Sequence, residues 1–298
     1  MDRLIAVTIA GLAYGAVLSV ASVGFTIQFG VTNYFNFAYG EVMTVATMIA
    51  VTLNASSVLH MNIWLASAVG VLGTGAVALL LNQFVFVPFR AKYKNIWTML
   101  LVTFSVALIM DNVFLLIWGS NYRQFTGSTG SVIRVGTATI SVSDFVYLAI
   151  AVVCLLLVQG LLTRTRIGRS MRAMSDNATL ASISGIRTGK VTAITWLVSG
   201  LLAGVGGVLL GLQTHTFDTA VGLSYEYYIF IAVILGGVGS PMGAVLGGLV
   251  VGLLSQLISL AIPSGLNSVV VFGVMIVVLF VRPMGLMGVP GRLNRVDL

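Results

Sequence analysis

The chain reads as an all-α integral membrane protein, and three observations predict it. Of its 298 residues 58% are hydrophobic and only 8% charged, the mean hydropathy is +1.06, and the basic residues sit in short clusters between long apolar runs. A soluble chain would be about a quarter charged, because its surface must be hydrated. The 34 glycines against 5 prolines fit close helix packing in a bilayer better than flexible linkers. A net charge of +7 would point to nucleic acid if the basic groups formed one hydrated patch. Dispersed as they are, they follow the positive-inside pattern, so the expected surroundings are membrane lipid and no nucleic acid. One cysteine, Cys154, in an apolar run permits neither a disulfide nor a cysteine metal site within one chain.

A membrane-crossing helix needs about 20 mainly apolar residues. Eight such runs occur, at 5–29, 37–53, 62–87, 96–118, 144–162, 191–212, 227–260 and 267–281, and residues 1–298 are read as a single transmembrane domain. Met1-Asp2-Arg3 before the first run raises a cleavable signal peptide as a rival reading. Its basic start is nearly absent, and more membrane-like sequence follows Gly24, which favours a retained span.

Two places break the pattern. Between runs one and two, polar residues interrupt the stretch Gly30-Val-Thr-Asn33-Tyr34-Phe-Asn36-Phe-Ala-Tyr39-Gly40-Glu41. Inside the overlong run 227–260 lies Gly236-Gly237-Val-Gly239-Ser240-Pro241-Met-Gly243. Gly costs a helix about 1 kcal/mol per position relative to Ala and Pro about 3. Irregular backbone at membrane depth must be buried in protein or line a cavity. Both places are therefore expected to be broken or re-entrant helices.

Outside the spans, 119–143 is the longest segment on one side, and its alternation around Gly136 allows a short extracellular β-hairpin. It is either a cap over the pathway mouth or a plain connector. On the other side, about 163–190 is the only sizeable hydrophilic stretch and the place where a cytoplasmic partner would bind. Ser175-Asp176-Asn177 ahead of Ala178 gives it a helix-start signal.

Orientation follows from the basic residues. Arg90, Lys92 and Lys94 form one cluster, Arg164, Arg166, Arg169, Arg172, Arg187 and Lys190 a second, and Arg282, Arg292 and Arg295 a third, together 12 of the 15. Arg3, Arg123 and Arg134 fall on the opposite side, which sets the N-terminus outside and the C-terminus in the cytoplasm.

Chemistry-bearing residues are few. His60 and His215 are too few for a multi-histidine metal site, and no Ser, His and Asp set shares a local signature, so an enzyme is not expected. Gly185-Ile-Arg-Thr-Gly189-Lys190-Val191 misses the phosphate-loop pattern by one residue and lacks the hydroxyl that would hold Mg²⁺, so no ATP site is expected on this chain. Ionised groups in a span tend to face protein or water. Glu41, directly after the first break, either lines a cavity or bonds freed backbone groups. Asp111 reads as structural, bonding across helices with Asn112 nearby, and Glu226 as the marker of an outer helix start. Pairs four apart, Gly11/Gly15, Gly200/Gly204, Gly207/Gly211, Gly243/Gly247 and Gly248/Gly252, let backbones approach closely, within the chain or toward a second subunit.

Five blocks in order then carry a resemblance over nearly the whole chain: Gly11-Leu-Ala-Tyr-Gly15 with Gly24, Gly30 and Asn36-Phe-Ala-Tyr39-Gly40-Glu41; Thr165-Arg166-Ile-Gly168-Arg169 with Arg172 and Gly185; Gly204-Val-Gly-Gly207; Gly236 to Gly248; and Arg282-Pro-Met-Gly285-Leu-Met-Gly288. The chain resembles the permease subunit of branched-chain amino acid type ATP-binding cassette importers. That resemblance implies two permease subunits forming the pathway, a heterodimer being the expected pairing. It also implies two cytoplasmic ATPases holding ATP and Mg²⁺, a periplasmic binding protein, and no cofactor on this chain. It implies residence in the bacterial inner membrane. The implied pathway residues are Asn33, Asn36, Tyr39, Glu41, Gly237, Gly239 and Ser240. The implied ATPase-coupling residues are Arg169, Arg172, Asp176, Asn177 and Gly185, in a loop that could otherwise be merely solvated. Tyr39 stands where the family commonly has His, which leaves urea, short amides or another small neutral metabolite open as substrates beside branched-chain or other neutral amino acids. A stand-alone secondary transporter or channel is the reading from another class.

Overall fold

The structure, a computed structural model, describes residues 2–56, 60–93, 95–127, 132–135, 138–214, 216–260 and 266–287. Lys94, Gly136, His215, Gly288, Arg292 and Arg295 lie outside them. Helix α1 (Asp2–Thr32) is followed by α2 (Tyr39–Ala55), α3 (Ile63–Leu81), a π-helical turn at Asn82–Phe86, α4 (Val87–Lys92) and α5 (Ile96–Trp118). Strands β1 (Val132–Val135) and β2 (Ala138–Ser141) pair antiparallel, with Val132 opposite Ser141. Then come α6 (Val142–Arg164), α7 (Arg166–Asp176), α8 (Ala178–Ile183), α9 (Thr188–Thr214), α10 (Val221–Gly236), α11 (Pro241–Ile258) and α12 (Asn267–Val281).

Local chemistry explains most boundaries. Asn62, Asn95, Thr165, Asn177 and Ser240 each cap the helix that follows by accepting a backbone N–H, the usual remedy for the orphan amides of a first turn. Gly119, at φ 72°, ends α5. Pro88 lacks the amide that would continue the helical ladder, and the π turn sits just before it. Phe86 in that turn stacks on Trp196 of α9 at 4.7 Å.

Among the described residues six helices are long and apolar enough to cross a membrane: Arg3–Thr32, Ile63–Lys92, Ile96–Trp118, Val142–Arg164, Thr188–Thr214 and Pro241–Ile258. Helices α10 and α12 are shorter apolar ones. The 17-residue α2, on which the run 37–53 falls, is almost wholly enclosed by neighbouring helices. The overlong run 227–260 is resolved into α10 and α11, separated at 237–240.

Helix α1 is the hub, packing on α11, α9, α6, α10 and α7. The paired glycines make these approaches within the chain. Gly15 faces the backbone of Leu249, Gly200 faces Ala78 and Gly75, Gly207 faces Met43, and Gly247 faces Ala232. Ser19 of α1 donates to the Val245 carbonyl of α11 at 2.8 Å, a polar tie of the kind that helps hold membrane helices together. Lipid-facing character collects on α5, α6 and α12, where Leu116, Leu157 and Phe280 are exposed.

The basic groups gather at one end. Gly30, near the C-terminal end of α1, meets Ser175 of α7. Arg90 lies within electrostatic reach of Tyr34 just beyond that end, and Arg282 precedes a segment folded against Gly237. Arg123 lies elsewhere, in the segment after α5 that pairs with Phe217, while Thr126 bonds Asn54 at the end of α2. The 119–127 stretch is thus a clamped connector.

Candidate functional site

The first break begins where Asn33, at φ 58° and exposed, closes α1 by donating to the Phe29 carbonyl at 2.8 Å. Asn tolerates this left-handed conformation better than most residues. The buried Asn36 accepts the Ala38 amide through Oδ1 at 3.1 Å, while its Nδ2 has no partner. Tyr39 is buried, donates its hydroxyl to the Ala21 carbonyl at 2.8 Å, and meets Phe25 edge-on at 5.4 Å. Phe230 of α10 packs on Phe25, Phe35 and Phe37. The break is therefore filled with aromatic rings.

Glu41 follows, 1% exposed, with Oε2 unpartnered. Glu226, from α10, is 2% exposed and accepts the Gly40 amide. A Cβ on Gly40 would lie 2.9 Å from that of Glu226, so the glycine is what admits the carboxyl group to the first turn of α2. This helix has no cap of its own, and a carboxyl group from a distant helix takes that place. Glu226 thus lies inside the protein rather than marking an outer helix start. Asp111 of α5 lies within electrostatic reach of Glu41. Asn112 beside it bonds the Leu108 carbonyl of its own helix.

The second break is a backbone device. Gly237 and Gly239 have φ 108° and 83°, values that side chains resist. Ser240 caps α11 by accepting the Gly243 amide at 3.1 Å. The C-terminal segment returns onto it: Leu286 and Met287 donate to the Leu235 and Gly236 carbonyls at 2.8 and 2.9 Å. Those carbonyls would otherwise be orphaned at the end of α10.

Helix α7 buries Gly168, Met171 and Met174 and exposes Arg169, Arg172 and Asp176. Asn177 caps α8 by accepting the Leu180 amide at 2.9 Å. Exposed Gly185, at φ 84°, closes α8, its amide on the Ser182 carbonyl. Between them α8 exposes Leu180 at 62% and Ile183 at 79%. A cavity of about 310 Å³ joins this loop to the second break, lined by Gly239 and Ser240 on one side, Arg172 and Asp176 on another, and Thr26 of α1. Two groups of residues singled out separately in the sequence thus share one space. Asn33, Asn36, Tyr39 and Glu41 do not line it.

A second cavity, of about 330 Å³, went unread in the sequence. It lies among α1, α6, α9, α10, α11 and α12 and is lined by Tyr14, Asp144, Gln213, Tyr225, Ser255 and Asn267, among others. Its polar residues come one or two at a time from six helices, and no local pattern marks them. His60 is exposed, at φ 39°, and no group of three or more possible metal ligands occurs among the described residues.

The sequence is similar to known permeases along nearly its full length. The high-affinity branched-chain amino acid transport system permease protein BraD of Pseudomonas aeruginosa is 28% identical over 291 residues, covering 94% of both chains. LivH of Escherichia coli, of the same description, is 28% identical over 292 residues, again covering 94% of both. The ribose import permease protein RbsC of Bacillus subtilis is 32% identical over 124 residues, covering 40% of this chain and 38% of its own. No solved structure matches. The family model described as the branched-chain amino acid transport system permease component matches residues 7–279, and the chain belongs to that family.

Proposed function

We propose that this chain is a membrane-spanning permease subunit of an ATP-binding cassette importer that carries branched-chain or other neutral amino acids across the bacterial inner membrane. The carrying observation is the cavity shared by the exposed α7–α8 loop and the second helix break. A loop that is anchored by Met171 and Met174, presents Arg169, Arg172 and Asp176, and leaves Leu180 and Ile183 bare has the apolar centre and polar rim of a docking surface. Movement there reaches Gly239 and Ser240 directly. Two cytoplasmic ATPases, holding ATP and Mg²⁺, supply that movement. A second permease, different in sequence, completes the pathway, and a periplasmic binding protein delivers the solute. Clustering of Arg90, the α7 arginines and Arg282 at one end supports an N-terminus outside and a C-terminus in the cytoplasm.

The first break serves the pathway as its side wall, through Asn33, Asn36, Tyr39 and Glu41, and the second, through Gly237, Gly239 and Ser240, as its moving part. The full-length relatives are named for branched-chain amino acids, which favours that substrate class over urea and short amides. Arg172→Glu combined with Gly185→Pro tests the coupling. Proline cannot adopt φ 84° or supply the amide that Ser182 accepts. ATPase capture should weaken by about tenfold or more and ATP-driven uptake should vanish, with membrane insertion intact. Uptake at the normal rate would remove the coupling role.

A further inference from the structure

The second cavity lies at the other end of the hub helix from the coupling loop. Tyr14 lines it, and Thr26 lines the coupling cavity; twelve residues of helix separate them, about 18 Å. In between, α1 is sealed. Val17 and Leu18 are fully buried, Ser19 is pressed against Gly248, and Ala21 faces Gly206.

Its lining is rich in hydrogen-bond acceptors. Ser255, only 4% exposed, has an Oγ without a partner. Asn267 spends its Nδ2 on the Ser255 carbonyl at 3.0 Å, which fixes the orientation of the amide and leaves Oδ1 unpartnered. Gln213 Oε1 is unpartnered too. Asp144 also lines the cavity, as do Tyr14 and Tyr225, whose rings lie 6.3 Å apart; an aromatic ring can attract a cation. Among the described residues no Lys, Arg or His lines the cavity. Buried acceptors left unmatched are costly, and a group with several N–H donors satisfies them together.

We propose that this cavity binds the ammonium group of a small organic amine and, in the importer, receives the amino end of the solute after delivery. This second clause rests on the importer reading above; the amine site itself does not. A site so lined favours a primary ammonium over a carboxylate.

The test uses the whole importer in right-side-out vesicles, with Cys154→Ala and a reporter thiol at Ser255→Cys or, separately, Asn267→Cys. A trimethylammonium-bearing methanethiosulfonate should modify the thiol about tenfold faster than its sulfonate-bearing counterpart, after correction for their reactivity in solution. Leucine and isoamylamine should slow the reaction, and 4-methyl-2-oxopentanoate, which lacks the ammonium, should not. Equal rates for the two reagents at both positions, or no slowing by isoamylamine at either, would overturn the site. Protection by isoamylamine without ATP-driven leucine uptake would discard the importer reading and leave the site standing. Uptake without protection would discard the site alone.

Discussion

The two interruptions of the helical pattern are closed by different means. At the first, side chains do it: Asn36 turns the backbone, Tyr39 ties α2 to Ala21, Glu226 accepts the Gly40 amide, and four phenylalanine rings fill the corner. At the second, backbone does it: two glycines at positive φ, and two carbonyls of α10 answered by the amides of Leu286 and Met287. Side-chain closure deep in a packed core holds one arrangement, because each partner must fit its neighbours. Glycine-rich backbone beside a cavity permits rotation with little steric penalty. In the proposed mechanism the first break is a fixed wall and the second a hinge, and the second is the one that shares a cavity with the α7–α8 loop.

The largest effect should come from filling the close approach at the hinge. Gly236 lies against Gly243 so tightly that an added Cβ would collide with the Gly243 carbonyl. Overpacking against backbone costs about 3 kcal/mol or more, since a carbonyl cannot step aside as a side-chain tip can. Gly236→Val should reduce the yield of monodisperse protein in detergent severely. Normal yield and thermal stability would show that α10 and α11 can part here, and the hairpin would not be the constraint it is taken to be.

Next comes the wall. Glu226→Ala strips the Gly40 amide of its partner in a buried site, at a cost of about 1–3 kcal/mol. Glu226→Gln keeps an acceptor and should retain most of that stability. Thermal unfolding of the purified importer reads both. An alanine variant as stable as the parent would mean that the carboxyl group does not hold α2 in place.

Much of this architecture was legible in the sequence and some was not, for a physical reason. Spans are local facts: a run of apolar residues is apolar wherever it ends up, and the limits of α5 and α12 coincide with those read from hydropathy. Breaks are local too, since Gly, Pro and Asn act on their own backbone. The loop 163–190 was legible as a polar, basic segment, and Asn177 as part of a helix start. What closes each break is not local. Glu226 meets Gly40 across 186 positions of sequence, and Leu286 meets Leu235 through the backbone. An isolated carboxylate in an apolar run is equally compatible with a helix start and a buried cap. The second cavity, assembled from one or two residues on each of six helices, leaves no signature at any spacing.

The smallest effect is also the most discriminating. Ser240→Ala removes the hydroxyl that receives the Gly243 amide, and Asn36→Ala removes the amide oxygen that receives Ala38. Each loses one local bond worth about 1 kcal/mol, so the two variants should lose similar thermal stability. Their effects on transport should differ. Ser240 lines the cavity shared with Arg172 and Asp176, and Asn36 does not. A looser hinge should let ATP be hydrolysed without solute crossing, raising the number of ATP consumed per solute in Ser240→Ala. The wall variant should keep the parent's ratio even if its rate falls. Equal ratios in both variants would erase the distinction between hinge and wall, because then the chemistry that closes a break would have no bearing on whether it moves.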